Sequence, residues 1–513
     1  MERLNNKFLQ TGSLPAEVLG PVANWNELPV KVIQFGTGVL LRGLPDYFID
    51  KANRAGIFNG RIVVVKSTST GKTDSFNEQD GLYTLCVKGI EDGKDVEEYL
   101  LNSSIKEVLS AQDNWHDIMQ YALDPEMKVV ISNTTEVGIV YDKNDNILAQ
   151  PPASFPGKLL AFLYARFKHF EGSKASGLVV VPTELISDNG LKLKNILLQL
   201  ASEHLSEEKF ISWLNDANYF CNSLVDRIVP GKLPYEEHQS MEKKLGYKDE
   251  LMIMAEPFRL WAIEAKDPYV KEVLSFSTID EGLVITGDIS KFKELKLRLL
   301  NGTHTFTCGL AVLAGFETVK EAMANPLMEH FITNLLMQEI VPTVVGSQIS
   351  KEEADVFAGK VLDRFRNKSL DHKWINITLN YTSKMEMRNV ALLKGYYKGH
   401  NASSQYMALG FAAYLLFMKG KKSIDNTYKG YVNNRGYYAI NDESAEIFEN
   451  LWNRQSPEQV VDDVLKNQRL WNVNLSTLPT FGSEVKKYLH ALMNKEALDV
   501  ISEVVNNKEI QSV

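Results

Sequence analysis

The sequence predicts an α/β protein in two parts, a doubly wound parallel sheet followed by a mostly helical domain. Short, β-branched apolar runs recur through the first half, at 30–35 (VKVIQF), 61–66 (RIVVVK), 127–132 and 177–181 (GLVVV). Helix-length stretches separate them, and continuous apolar runs spaced in this way read as parallel strands covered on both faces. Beyond about residue 285 strand-like runs become rare. Amphipathic stretches then dominate, at 292–314, 350–366, 405–419 and 457–468, with a shorter one at 319–324. A chain of 513 residues exceeds what one core serves, and the predicted domains are 1–287 and 288–513.

The first strand ends in Gly36-Thr37-Gly38, and helix-like spacing (Val39, Leu40, Tyr47, Phe48) follows from 39 to 55. Strand, Gly-x-Gly and helix in this order form a Rossmann-type unit. The first Gly makes the tight turn, the second lets a pyrophosphate approach the backbone, and the helix N-terminus offers unpaired N–H groups. Phe35, Gly36, Thr37 and Gly38 are therefore expected at a dinucleotide. The third fingerprint position is Leu41, with Gly43 two residues further on, so the motif is incomplete. In place of the acidic residue expected after the second strand stands Lys66-Ser67-Thr68-Ser69-Thr70. The hydroxyls suit a ribose and Lys66 suits a 2′-phosphate, so residue chemistry leaves both NAD and NADP open. Gly71-Lys72-Thr73 is not a P-loop, because Lys66 occupies the position of its first Gly. Ser132-Asn133-Thr134-Thr135-Glu136 and Pro182-Thr183-Glu184-Leu185 follow the third and fourth runs, where such sheets bind ligands. Each also reads as a capped turn.

Composition narrows the function. A net charge of −9 argues against nucleic acid or an anionic membrane as partner. Three widely spaced cysteines make neither a disulfide framework nor a zinc site and fit a reducing compartment. The longest apolar run, 407–418, is too short to span a bilayer and reads as a buried helix. The N-terminus has no signal-peptide core, so a cytoplasmic protein is expected. No histidine pair has metal-ligand spacing, so no metal is expected. Tyr164 and Lys168 match Y-x-x-x-K, but on an ordinary amphipathic stretch.

The sharpest constellation is Lys296-x-x-x-x-Asn301-x-x-His304, within ELKLRLLNGTHTF. On a helix these side chains can converge. Lysine in a dry cleft can give or take a proton, an Asn amide can stabilise a developing alkoxide, and a His can orient a hydroxyl. The bland alternative is a solvated Lys, an Asn at a helix break and a core His.

Together these residues resemble the polyol-specific long-chain dehydrogenases, the family that includes mannitol dehydrogenase. Besides Lys296, Asn301 and His304, the likeness rests on Gln79-Asp80-Gly81-Leu82-Tyr83-Thr84, Ser132-Asn133-Thr134-Thr135-Glu136 and Asn222-Ser223-Leu224-Val225-Asp226-Arg227. Arg364-Phe365-Arg366-Asn367 and Ser383-Lys384 extend it into the second half. The resemblance implies an NAD-dependent oxidoreductase of small hydroxylated substrates, working without a metal. Lys296 would be its general acid/base, Asn301 its oxyanion donor and His304 its orienting group. It implies Asn133 and Asp226 at the cofactor, and Arg364 and Lys384 at the substrate. Within the family the likeness runs to members that act on hexuronates and hexonates. Two positions depart from the mannitol pattern. Leu185 stands where an Asn helps to polarise the carbonyl, and Lys293 stands where an acid precedes the catalytic Lys. A cation at 293 suits a substrate carboxylate. A non-catalytic dinucleotide sensor is the alternative from another class, and the Lys–Asn–His set argues against it.

Overall fold

The computed structural model describes residues 1–67, 73–134, 138–399, 403–432 and 436–509. Thr68, Ser69 and Thr70, the Gly71-Lys72 pair, and Thr135 and Glu136 lie outside the described residues. The chain divides into two units, residues 1–89 with 95–289, and residues 90–94 with 290–513.

The first unit is built on six parallel strands: β1 (Val30–Phe35), β2 (Arg61–Lys66), β3 (Ile105–Ser110), β4 (Val129–Ser132), β5 (Val179–Pro182) and β6 (Tyr219–Phe220). Their order across the sheet is β3-β2-β1-β4-β5-β6, and every neighbouring pair is parallel. The chain steps outward from β1 to β3 and then returns to β4 on the other side of β1. In open α/β sheets such a reversal is where ligands bind, here beyond the carboxyl ends of β1 and β4.

The apolar runs follow from burial on both faces. Ile33, Phe35, Val63, Val65, Val130 and Val180 share a core with the helices Phe155–His169 and Asn189–His204. Val32, Val64, Ile131 and Val181 share the opposite core with Leu41, Phe48 and Ala52. Each such side chain contributes about 1.5–3 kcal/mol on burial, so a polar residue has no place in these runs. A register shift between Val30 and Val32 puts Val30 with the first core and Val32 with the second, against simple alternation.

The helix predicted at 39–55 is two helices, Val39–Gly43 and Pro45–Arg54, broken at Leu44 with φ −135° and ψ −75°. Pro45 explains the break, since it has no N–H to continue the first helix and is preorganised to open the second. Several strands went unpredicted, among them Ile105–Ser110, Ser223–Asp226 and Leu260–Glu264, and also Tyr83–Glu91 and Lys94–Asn102, which join a four-stranded sheet with Val18–Leu19 and Ile253–Ala255.

The second unit is mostly helical. Its centre is Gln405–Phe417, buried along nearly its whole length and packed on Thr303–Ala314 and Phe481–Asn494. The approach to Thr303–Ala314 is close: a Cβ on Gly410 would lie 2.6 Å from the Phe306 carbonyl oxygen. That packing accounts for the long apolar run. Among the described residues no helix is long and apolar enough to cross a membrane. An antiparallel sheet of Gly420–Lys422, Tyr428–Val432 and Gly436–Ile440 adds strands where helices alone were expected. All three cysteines are buried and unpaired, and burial pushes each thiol up to about 12.

Candidate active site

The predicted site residues form two sets, one in each unit. In the first unit Gly36, Lys66 and Asn133 follow or end the neighbouring strands β1, β2 and β4. Gly36 N–H donates to the Val65 carbonyl and Asn133 N–H to the Phe35 carbonyl, both at 3.0 Å. Gly36 has φ +126°, and a Cβ there would lie 2.5 Å from the Asn133 carbonyl oxygen. Only glycine fits. Gly38 is exposed at the start of Val39–Gly43, and a Cβ there would meet nothing within 4 Å. The turn thus has a backbone that a phosphate can approach, as a dinucleotide requires.

The incomplete fingerprint has a local explanation. Leu41, at the third Gly position, is fully buried in the core. Close packing falls to Gly43 instead, where a Cβ would lie 2.7 Å from Val229 Cγ2. Arg227 holds this region together by donating to the Gly43 carbonyl at 2.7 Å and the Glu256 carbonyl at 2.9 Å. Asp226 ends the strand Ser223–Asp226 and is buried. The Phe35 ring is fully buried against Phe155, in the core, so only the backbone of this residue could meet a cofactor.

The polar turns after β4 and β5 bind each other. Glu184 accepts from Ser132 Oγ and Thr134 N–H, both at 3.0 Å, and from Thr134 Oγ1 at 3.1 Å. Burial raises its pKa, against which the Thr134 and Ser132 hydrogen bonds work. The Asn133 amide donates to the Thr183 carbonyl and hydroxyl at 3.1 and 3.0 Å. Leu185, at the family's Asn position, is 62% exposed. Asn189 does not replace it, since its amide donates to the Pro182, Glu184 and Ser223 carbonyls and its oxygen accepts from Gly190 and Ser223. Tyr164 and Lys168 both bind Glu207, a structural pairing on the helix Phe155–His169.

Asp46 was missed by sequence reasoning. It is fully buried near Gln34 and Arg42, and neither carboxylate oxygen has a hydrogen-bond partner among the described residues. Burial pushes its pKa up to about 8, outweighing Gln34 and Arg42.

In the second unit Lys296, Asn301 and His304 lie on one continuous helical segment. Ser290–Leu295 is α-helical, Lys296–Gly302 is a π-helix, and Thr303–Ala314 is α-helical again. In an α-helix, residues five apart point about 140° away from each other. A π-turn closes i→i+5 hydrogen bonds and brings residue i+5 over residue i, so the Lys296–Asn301 spacing suits it. Neighbouring side chains satisfy the altered backbone. Asn389 Nδ2 donates to the Gly302 carbonyl at 3.2 Å, and Arg298 donates to the carbonyls of Met387 and Arg388 at 2.8 and 2.7 Å. Met385–Asn389 is itself a π-helix, so two π-segments brace each other.

Lys293, Lys296 and Asn301 are half-buried, and His304 is buried. The His304 ring stacks on Phe365 with centroids 4.2 Å apart, meets His372 edge-on at 5.3 Å, and leaves Nε2 buried without a partner. Burial, with His372, Arg364, Arg388 and Lys384 nearby, holds this imidazole well below its ordinary range, so it is neutral at pH 7. Arg364 is buried at the end of Lys351–Arg366. Lys384 Nζ donates to the Ile377 carbonyl at 3.0 Å, and burial followed by Arg388 lowers its pKa. Sequence reasoning missed His372 and Arg388, although Arg388 stands one helical turn beyond Lys384. No group of three or more His, Cys, Asp or Glu among the described residues could hold a metal ion.

A nucleotide-type turn in one unit and a Lys–Asn–His set in a helical unit are the parts of a dehydrogenase, and the comparisons agree. Residues 30–273 match the mannitol dehydrogenase Rossmann domain and residues 288–493 the mannitol dehydrogenase C-terminal domain. The chain belongs to the mannitol dehydrogenase family and is an oxidoreductase. It is similar to the altronate oxidoreductase of Bacillus subtilis, 35% identical over 93% of this chain and 96% of that protein. Those of Halalkalibacterium halodurans (35%, 94% of each chain) and Pectobacterium carotovorum (34%, 91% and 95%) are comparable. Among solved structures, a D-sorbitol dehydrogenase has a TM-score of 0.79 at 20% identity, covering 97% of this chain and 100% of that one. Pseudomonas fluorescens mannitol 2-dehydrogenase, solved with NAD and D-mannitol, has a TM-score of 0.66 at 21% identity, covering 98% and 99%. These two share the fold.

Proposed function

We propose that this dehydrogenase interconverts D-tagaturonate and D-altronate with NADH and NAD, without a metal. The observation that carries the reading is the Lys296–Asn301–His304 set, its Lys and Asn joined by a π-turn, in a chain alike over nearly its full length to altronate oxidoreductases. Gly36, Thr37 and Gly38 hold the dinucleotide pyrophosphate, Asn133, Lys66 and Asp226 lie along the cofactor, and NAD rather than NADP is the form used. When bound, the cofactor supplies a hydride to the ketone carbon or takes one from the alcohol.

The residues do the rest. Reduction consumes one proton, and Lys296 Nζ delivers it to the forming alkoxide; in oxidation Lys296 takes it back. Asn301 donates its amide hydrogen bond to the same oxygen, a role that the apolar Leu185 cannot share. His304, neutral and with Nε2 unpartnered, orients neighbouring hydroxyls. Lys293, Arg364 and Lys384 bind the acid substrate. The positive side chains near His304 support an anionic substrate over a neutral polyol.

The test is initial-rate NADH oxidation with EDTA present, offering D-tagaturonate, D-fructuronate and D-fructose in parallel. Fast turnover of tagaturonate alone is the expected result. A preference for fructuronate keeps the mechanism and changes the substrate, whereas activity on fructose alone overturns the uronate reading.

The cofactor turn has its own test. Gly36→Ala forces a non-glycine residue into φ +126° and against the Asn133 carbonyl. NADH binding, followed by fluorescence titration, is expected to weaken on the order of 100-fold, the equivalent of 1–3 kcal/mol of strain plus displacement of the turn. An unchanged Kd would count against a dinucleotide at this turn.

A further inference from the structure

Around His304 the second unit gathers positive charge. Lys384 and Arg388 stand four residues apart, on and beside the π-helix Met385–Asn389. Neither has a carboxylate within 4.0 Å among the described residues. Arg388 Nη1 donates to Thr305 Oγ1 at 3.1 Å, next to His304, while Arg388 Nε is buried with no partner. His372 meets the His304 ring edge-on, and His304 Nε2 is also orphaned. Two half-buried cations in repulsion, with donors left unpaired, are unfavourable unless an anion completes the group. A guanidinium is the side chain best shaped to hold a carboxylate through two parallel hydrogen bonds.

We propose that Arg388, supported by Lys384 and His372, is the specificity residue that binds the substrate's carboxylate and so selects sugar acids over neutral sugars. The inference rests on the uronate reading above and assigns it to a residue outside the Lys–Asn–His set. In this role Arg388 acts on the carboxylate and takes no part in the transfer of hydride or proton. Its loss therefore weakens recognition of the charged group without removing the proton donor.

The experiment compares Arg388→Met with the unmodified enzyme on D-tagaturonate and D-fructose, reading kcat/KM for each and the Kd for NADH. The ratio of tagaturonate to fructose efficiency is expected to fall on the order of 100-fold, chiefly through KM, with the NADH Kd retained. Arg388→Lys keeps the charge, loses the paired hydrogen bonds and is expected to lie between the two. Should Arg388→Met not fold, Arg388→Lys carries the comparison, with at least a roughly tenfold fall in the ratio expected. If fructose turnover is below detection, competitive inhibition by D-gluconate and by D-glucitol supplies the ratio. An unchanged ratio, or equal losses on charged and neutral compounds, would overturn the role of Arg388. An unmodified enzyme that turns over no hexuronate would instead overturn the reading on which it rests.

Discussion

Lys296→Ala is expected to lower kcat for ketone reduction by about two to four orders of magnitude, the range general acid catalysis contributes, and to leave NADH affinity unchanged. The asymmetry is the informative part. Lys296 belongs to the helical unit, and the residues assigned to the cofactor belong to the other. A side chain that only supported the fold would lower thermal stability and affect both measurements. A dinucleotide sensor would keep its output. Stopped-flow single turnovers alongside NADH titration separate these cases, and a variant retaining more than a tenth of wild-type kcat would remove Lys296 from the proton-transfer step.

The second large effect concerns stability. Asp46 has an ordinary pKa of 3.8 and is raised to about 8 by burial in the folded protein. Between those values the unfolded chain has released a proton that the native state keeps. Native stability from this group is therefore complete below about pH 4, declines as pH rises, and is lost once pH passes about 8. The slope is at most about 1.4 kcal/mol per pH unit. Asp46→Asn removes the proton while keeping the shape, and its amide can donate to Gln34 Oε1, an acceptor without a partner. The variant is expected to match wild type near pH 4 and to exceed it by about 2–4 kcal/mol at pH 8. Calorimetric unfolding at the two pH values measures this, and parallel pH profiles for the two proteins would show that Asp46 is ionised in the native state.

What was legible in the sequence follows from which interactions are local. The strands β1, β2, β4 and β5 were readable because burial on both faces leaves an unbroken apolar run. The strands at 83–102 were not, because Lys88, Glu91, Lys94, Asp95, Glu97 and Glu98 interrupt any such run. The sheet at 420–440 is short and partly exposed, with Tyr437 77% exposed, so it carries no apolar signature. Lys296, Asn301 and His304 were found through their spacing together with a family likeness. The π-turn was not, since a 3.6-residue period has no place for one extra residue. Arg388 and His372 escaped because they reach His304 from other parts of the chain. Asp46 escaped because an acid on a helix reads as solvated until its surroundings are known.

The π-turn has a consequence for how this enzyme can vary. A substitution between Lys296 and Asn301 changes a side chain and leaves the two ends aligned. Loss of the π-turn at unchanged length instead leaves Lys296 pointing about 140° away from Asn301, although all three residues are still present. On the mechanism proposed for Lys296 and Asn301, competence is therefore stored in the winding of this segment as well as in the identities of its residues. A homologue one residue shorter in this interval would keep its Lys and Asn in phase on an ordinary α-helix, where positions four apart lie one turn from each other.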